Sequence, residues 1–226
     1  SVLKDAGAAA IYGSRSSNGV VLITTRKGKL NERPSVKLTS SVGWQTPHLL
    51  YEPVAGWRNA EMRNESYKNV GGYIEFTDEQ IADLRKHQSE EQWFMREIFR
   101  TALQQNYNVS VSGGTDKATY MVSAGYFDQA SNYVGNKNYG TRRYNLRSNV
   151  EMQAGRLNLQ ALLSFVREND LATTGTSLER DASRVPPYYY YKMKANGKYL
   201  LNDILSEFNP LGSLEAGGTD KSRKND

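Results

Sequence analysis

The chain has no cysteine and only two histidines, His48 and His87. Disulfides and thiolate metal sites are thereby excluded, and neither histidine has a partner at metal-ligand spacing. Long apolar runs are missing as well. Val20 to Ile23 is a run of four residues, far short of the roughly 20 that a membrane helix requires. Hydrophobic residues make up 38% of the 226, below the roughly 45–50% (glycine included) usual for globular proteins. A helical membrane protein is excluded. A β-barrel is not, because its strands carry only a weak alternating signal. A dominant charge is lacking too: 29 basic residues meet 24 acidic ones, for a net charge of +5. Apart from Arg26-Lys27-Gly28-Lys29, Arg142-Arg143 and Lys221 to Lys224, the basic residues are scattered. A nucleic-acid binder would concentrate them on a recognisable module, so no nucleic-acid partner is expected.

Motifs of covalent chemistry are equally scarce. Ser1 and Lys4 match a Ser-x-x-Lys pattern, but no companion motif follows. No paired carboxylates stand out for hydrolysis. The sequons Asn64-Glu65-Ser66 and Asn108-Val109-Ser110 carry meaning only in a secreted glycoprotein. An enzyme is not expected. The first residues show neither the basic start nor the apolar core of a secretory leader. A complete chain would then be cytoplasmic, whereas an internal piece of a longer protein carries no such implication. The organised stretch DAGAAAIYGSRSSNGVVLITTRKGK, Asp5 to Lys29, leads to the expectation of an internal piece.

Glycine (19) and tyrosine (15) are what the chain has in abundance. Residues 1–12 read as a short helix ending near Gly13, followed by a polar loop to Gly19. Val20 to Arg26 reads as a β-branched strand, closed by Lys27-Gly28-Lys29, and a linker runs on to Pro34. From there the period changes to two. Val36, Leu38, Val42 and Trp44 alternate with polar neighbours, the mark of a strand with one apolar face. Residues 46–103 interrupt this with helical stretches at Ala55 to Lys68, Asp78 to Lys86 (Thr77 as N-cap) and Glu90 to Arg100. Four more alternating strands follow. Their apolar sets are Tyr107, Val109 and Val111; Tyr120, Val122, Ala124 and Tyr126; Tyr144, Leu146, Val150 and Met152; and Leu157, Leu159, Ala161, Leu163 and Phe165.

These strands run about ten residues, the length a tilted membrane strand needs. Turns alternate long (46–103), short (113–117), long (128–138), short (153–155) and long (from 168). Outer-membrane barrels alternate short periplasmic turns with long external loops. With the short turns inside, Trp44, Tyr107, Tyr126, Tyr144 and Phe165 all fall near the outer ends of their strands on the apolar face, as an aromatic girdle would.

The stretches SVLKDAGAAAIYGSRSSNGVVLITTRKGK, EQWFMREIFR, NYNVSVSGGTDKATYMVSAGYFDQ and RYNLRSNVE, in that order, resemble the end of the plug domain and first barrel strands of SusC/RagA-type TonB-linked outer-membrane proteins of Bacteroidetes. The resemblance covers residues 1–165 and thins beyond. It implies a mainly β fold: the end of a plug with its linker in residues 1–33, then the first five or so antiparallel strands of a transmembrane barrel in 34–226, with a partly helical external loop at 46–103 and another at 168–226. The family's barrels have about 22 strands around a plug. The resemblance further implies import of oligosaccharides or peptides across the outer membrane of a Gram-negative cell, and no cofactor. Its partners would be a SusD-like surface lipoprotein, TonB through a segment outside these residues, outer-membrane lipid, and a second transporter–lid pair in a homodimer. The alternative is a soluble or surface-anchored β-rich glycan-binding module or adhesin. That reading would bury the apolar faces against a second sheet.

Within this frame Gly13, Ser14, Arg15, Asn18 and Gly19 form a plug loop. Its glycines allow tight turns, and Arg15 and Asn18 would bond to the barrel wall or to neighbouring plug loops. Arg143, Asn145, Arg147, Asn149 and Glu151 share the polar face of one strand. In a soluble protein that face is merely solvated; in a barrel it lines the lumen. Trp57 and Trp93 in the long insertion, and Tyr188 and Tyr190 in Val-Pro-Pro-Tyr-Tyr-Tyr-Tyr, are candidates for partner or substrate contact. Their plain alternative is packing within the loops themselves. Asn196-Gly197 suggests a two-residue hairpin turn.

Overall fold

A strand pairs sideways through its backbone and turns successive side chains to opposite faces, so the period-two stretches should join into one sheet. They do. In the computed structural model, which describes residues 2–3, 13, 19–22, 26–50, 54–87, 94–135, 137–174, 178–188, 194–195, 198–199 and 209–226, the first elements are two short strands, β1 (Val2–Leu3) and β2 (Val20–Val21). The long strands are β3 (Ser35–Gln45), β4 (Ala102–Gly114), β5 (Ala118–Ala130), β6 (Gly140–Ala154) and β7 (Leu157–Thr173). A second short pair is β8 (Lys194–Ala195) and β9 (Lys198–Tyr199), and the last strand is β10 (Thr219–Asn225). The main antiparallel sheet has six strands in the order β10-β7-β6-β5-β4-β3. Tight connections at 115–117 and 155–156 join β4 to β5 and β6 to β7, the latter with Gly155 at φ +61°.

Three expectations are corrected. Val2 and Leu3 are not helical: they pair antiparallel with Val21 and Val20. The alanine run favours a helix locally, but cross-strand pairing of β-branched residues overrides such propensity; residues 4–12 lie outside the described residues. Of the strand expected at Val20 to Arg26, Val20–Val21 is described as strand, and Arg26 is already extended linker. The long strands also exceed ten residues: β6 has 15 and β7 has 17. Beyond Phe165 both faces of β7 turn polar (Arg167, Glu168, Asn169, Asp170), so alternation stops while the hydrogen-bond ladder continues. That extension pairs with β10, Arg167 opposite Asn225 through Thr173 opposite Thr219. β8 and β9 pair antiparallel across two residues, Ala195 opposite Lys198, where a hairpin was expected; residues 196–197 lie outside the described set.

The helices are α1 (Gly56–Asn69), α2 (Asp78–His87), α3 (Phe94–Glu97), α4 (Leu178–Arg184) and α5 (Pro210–Ala216). Thr77 and Gln80 form the capping box of α2. Thr77 Oγ1 accepts from the Gln80 amide at 3.2 Å, and Gln80 Oε1 accepts from the Thr77 amide at 2.8 Å, so two orphan donors are satisfied reciprocally. The connection from α1 is closed by Asn64. Its amide oxygen accepts from the Glu75 and Phe76 backbones, and its nitrogen donates to the Phe76 carbonyl. Arg63 grips Glu75 with two bonds, at 2.7 and 3.1 Å.

The chain falls into two units. One comprises Ser1–Leu38, Val109–Ser123 and Leu146–Ser164; the other comprises Thr39–Asn108, Ala124–Asn145 and Phe165–Asp226. The hydrophobic cores lie in the second. Phe94, Met95, Ile98, Tyr139, Leu178, Ala182, Val185 and Leu214 form one; Ala60, Ile81, Leu84 and Tyr188 form a smaller one between α1 and α2. Among the described residues no helix is long and apolar enough to cross a membrane, and no cluster could hold a metal ion.

Thr77→Ala is expected to cost about 1 kcal/mol of local stability. Amide exchange should accelerate over 78–82 while the β4–β7 amides keep their protection; unchanged exchange in α2 would refute the capping assignment.

Candidate functional site

The two faces of the sheet differ in what touches them. Along the apolar face the side chains stand open: Val36 is 70% exposed, Leu38 72%, Trp44 73% and Leu163 70%. On the opposite face Thr119 and Asn149 are buried, at 7% and 6% exposed. In the first unit that polar face is covered by the linker, residues 26–34.

Asn149 Nδ2 donates to the Arg26 carbonyl at 3.0 Å. Lys27 pairs with Glu151, which also accepts from Gln160 Nε2 at 2.8 Å. Gly28 then lies flat against the β4–β5 hairpin. A Cβ there would stand 2.5 Å from the Tyr120 carbonyl oxygen and 2.6 Å from that of Gly113. A Cβ on Gly114 would strike the Lys29 carbonyl. With both side chains missing, the backbones come close enough to bond. The Asn31 amide donates to the Thr115 carbonyl and the Gly114 amide to the Glu32 carbonyl, both at 2.9 Å. Asn31 sits at φ +55°, a left-handed geometry that asparagine tolerates. The ion pair is partly solvated, so the glycine-permitted backbone contacts and the Asn149 amide hold the linker more than charge does.

In the second unit the same face carries a chain of amides. Gln45 Nε2 donates to Gln104 Oε1 at 2.7 Å, Gln129 Nε2 donates to Gln45 Oε1 at 3.1 Å, and Asn132 Nδ2 donates to the Gln45 carbonyl at 2.8 Å. Gln45, Gln129 and Asn132 border a cavity of about 770 Å³, whose rim also includes Tyr133, Thr141 and Glu179. The Tyr133 hydroxyl donates to Glu179. Burial, and after it that carboxylate, pushes the Tyr133 phenol well above its ordinary range.

Of the polar-face residues read from the sequence, Asn149 and Glu151 meet the linker. Arg143 lies 3.8 Å from Glu168 and over the Phe127 ring. Asn145 packs against Gly125, where a Cβ would collide with its amide. Arg147 is exposed. Of the aromatic set, Tyr107, Tyr126 and Tyr144 form a continuous row, with ring centroids 6.4 and 5.2 Å apart. Trp44 and Phe165 stand exposed on the same face. Gly13 and Gly19 have φ of +79° and +93°, whereas Ser14, Arg15 and Asn18 lie outside the described residues. Trp57 is stacked by the Arg85 guanidinium at 4.2 Å. Tyr188 is buried edge-on to Phe76. Both rings thus serve the small core between α1 and α2. Trp93 and Tyr190 lie outside the described residues.

The sequence reading missed Gly28, Gly114, Gln45, Gln104 and Gln129. Only the glycines left a signal, as small residues at a strand end and in a basic run.

This arrangement has counterparts. The chain is 39% identical over 127 residues to the TonB-dependent receptor SusC of Bacteroides thetaiotaomicron, covering 56% of this chain and 12% of that protein. It is 32% identical over 156 residues to the TonB-dependent receptor P3 of Formosa agariphila, covering 67% of this chain and 13% of that one. A solved structure of the RagAB peptide importer in its closed-closed state superposes with a TM-score of 0.60 at 27% identity, over 75% of this chain and 21% of that chain. The open-open state gives 0.58 at 26% identity, with the same coverage. The chain belongs to the SusC/RagA-like TonB-dependent receptors. No family model matches it. Because it spans about an eighth of its curated relatives, it represents part of such a receptor. The mainly β fold with its six-stranded antiparallel sheet is structurally similar to RagA.

Gly28→Val should lift the linker from the hairpin. Cysteines introduced at Arg26 and Asn149 are expected to cross-link readily with Gly28 intact and poorly with valine; equal cross-linking would show that the close approach is dispensable. A second expectation concerns Tyr133. Its folded-state pKa is raised, so its contribution is present in full below about pH 10 and is lost as the pH climbs through the folded value. Tyr133→Phe should abolish that alkaline loss in local amide exchange around 131–139.

Proposed function

We propose that this chain forms the plug linker and the first strands of an outer-membrane importer that takes up oligosaccharides or peptides under a SusD-like lipoprotein lid, driven through TonB. One observation carries the reading: the apolar side of the long strands is open along its length, while the polar side receives the linker. A face of that kind fits lipid outside, and a wet lumen with a plug fits the other side. The similarity to SusC and to the RagAB peptide importer supports the same assignment. On this reading Trp44, Tyr107, Tyr126, Tyr144 and Phe165 mark the outer membrane interface. Arg143, Asn145, Arg147, Asn149 and Glu151 line the lumen, and the plug loop from Gly13 to Gly19 is held there by polar bonds that can be broken and remade.

The amides of Gln45, Gln129 and Asn132 at this cavity offer donors and acceptors beside the carboxylates of Asp170 and Glu179, which suits the hydroxyls of a sugar or the N–H groups of a peptide. The protein performs no covalent chemistry in this scheme. The alternative of a glycan-binding module or adhesin would need a second sheet over Val36, Leu38, Trp44 and Leu163, and these residues are open among the described ones.

The test is fractionation of the native full-length protein, followed by uptake assays in the parent cell and a deletion strain. The protein is expected in the outer membrane, co-purifying with a lipoprotein encoded beside it, and the deletion should lose uptake of one oligosaccharide or peptide class. A soluble native protein with no lipoprotein partner would overturn the proposal.

A further inference from the structure

The outward face does not end at the aromatic row. On β7, Phe165 is followed on the same face by Arg167, Asn169 and Leu171; on β6, Tyr144 is preceded by Arg142. Two residues along a strand is about 6.6 Å, so both arginines sit one step beyond the rings. The register of β10 adds Arg223 opposite Asn169 and Lys221 opposite Leu171. β10, β7 and β6 are neighbours in the sheet, so Lys221, Arg223, Arg167 and Arg142 share one face of three adjacent strands. A groove of about 800 Å³ runs over them, bordered also by Tyr144, Gln105, Asp128 and Arg100.

The charges in this groove are poorly matched. Arg100, Arg142, Arg167, Lys221 and Arg223 line it, against Asp128 and Asp170. Arg142 approaches Asp128 at 3.5 Å. Arg223 Nε donates to the neutral Asn169 side chain at 3.2 Å, and Arg100 Nε donates to the Ser131 carbonyl at 3.3 Å. Arg167 Nε is shut off from solvent and has no hydrogen-bond partner among the described residues. A donor of that kind is costly to leave unmet. Arginines present planar forks suited to phosphate oxygens, and a lysine adds a point charge. Their position matters as much as their charge. A cationic groove directly beyond an aromatic row, on the face that meets lipid, lies at the depth of membrane headgroups.

We propose that this groove holds the phosphorylated headgroup of an outer-leaflet lipid, with Arg167 and Arg142 nearest the acyl boundary and Arg223 and Lys221 further out. The proposal rests on the membrane-barrel reading. An anionic lipid bound here would act as a fixed strut along the β6–β7–β10 wall.

The experiment uses the full-length receptor extracted from outer membranes in mild detergent, with retained phospholipid and phosphorylated glycolipid counted by phosphorus assay and native mass spectrometry. The combined variant Arg142→Gln, Arg167→Gln, Lys221→Gln and Arg223→Gln is expected to retain on the order of tenfold less phosphorylated lipid. Heat-modifiable migration in detergent gels reports whether it remains folded in the membrane. Should it fail to fold, the pair Lys221→Gln and Arg223→Gln on β10 is expected to give a severalfold loss by itself. Lys224→Gln, on the opposite face of β10, should retain lipid as the unaltered protein does. Equal retention by a folded groove variant, or equal loss in Lys224→Gln, would overturn the proposal. So would full displacement of the lipid by millimolar inorganic phosphate, which would mark a site for the free ion. A native protein absent from the outer membrane would remove the barrel reading and this one with it, and fractionation alone reveals that case.

Discussion

The strands of the main sheet satisfy their backbone polar groups sideways, through neighbours on both sides for β4 to β7 and on one side for the edge strands β3 and β10, and that leaves the two faces free to differ completely. The other features described depend on this separation. Because the ladder takes care of the amides, the outward side chains can be apolar and exposed over the rows from Val36 to Trp44, broken only by Ser40, and from Leu157 to Phe165. Because the same strands present polar groups on the other side, a linker can lie across that side and bond to it. A one-residue slip in any strand would exchange the two populations. The close connections at 115–117 and 155–156 are therefore as important to the chemistry of the faces as the side chains are.

Burial follows from the same division. The sheet contributes almost nothing to a conventional core. Phe94, Ile98, Leu178, Val185 and Leu214 are enclosed by the loop helices α3, α4 and α5 with Tyr139, and Ala60, Ile81 and Leu84 are enclosed between α1 and α2. Water-driven packing thus stabilises the segments between strands, whereas the strands rely on hydrogen bonding and on the medium against their apolar face. These are separate sources of stability, and a change in one need not propagate to the other.

The strands β3 to β7 were legible because period two is a strong local signal. The helices α1 and α2 were legible from their pattern and from Thr77. The aromatic row was legible because turn lengths fix the direction of each strand. What escaped was whatever has no periodic trace. β10, Thr-Asp-Lys-Ser-Arg-Lys-Asn, has two polar faces and pairs with the part of β7 beyond Phe165, where alternation has stopped, so the sequence left it inside the loop expected at 168–226. The Gln45–Gln104–Gln129 amides are brought together from positions far apart in the chain, and glutamine on a strand announces nothing by itself. The linker's bonds to the hairpin run between backbones, so only the missing side chains of Gly28 and Gly114 hint at them. The Tyr188 ring, attractive as an exposed stacking surface in the sequence, is spent on the core between α1 and α2.

The linker's attachments are arranged in chain order: Arg26, Lys27, the Gly28 contact, Asn31, Glu32. Tension arriving from the N-terminal side would load the first of these before the second and the second before the third. Such a series peels; it does not shear. Each step breaks one contact worth about 1 kcal/mol, so no single event needs a large force, and slack restores the contacts in reverse order. The close fit at Gly28 then acts as a detent, a point where a retreating chain re-seats in the same register each time.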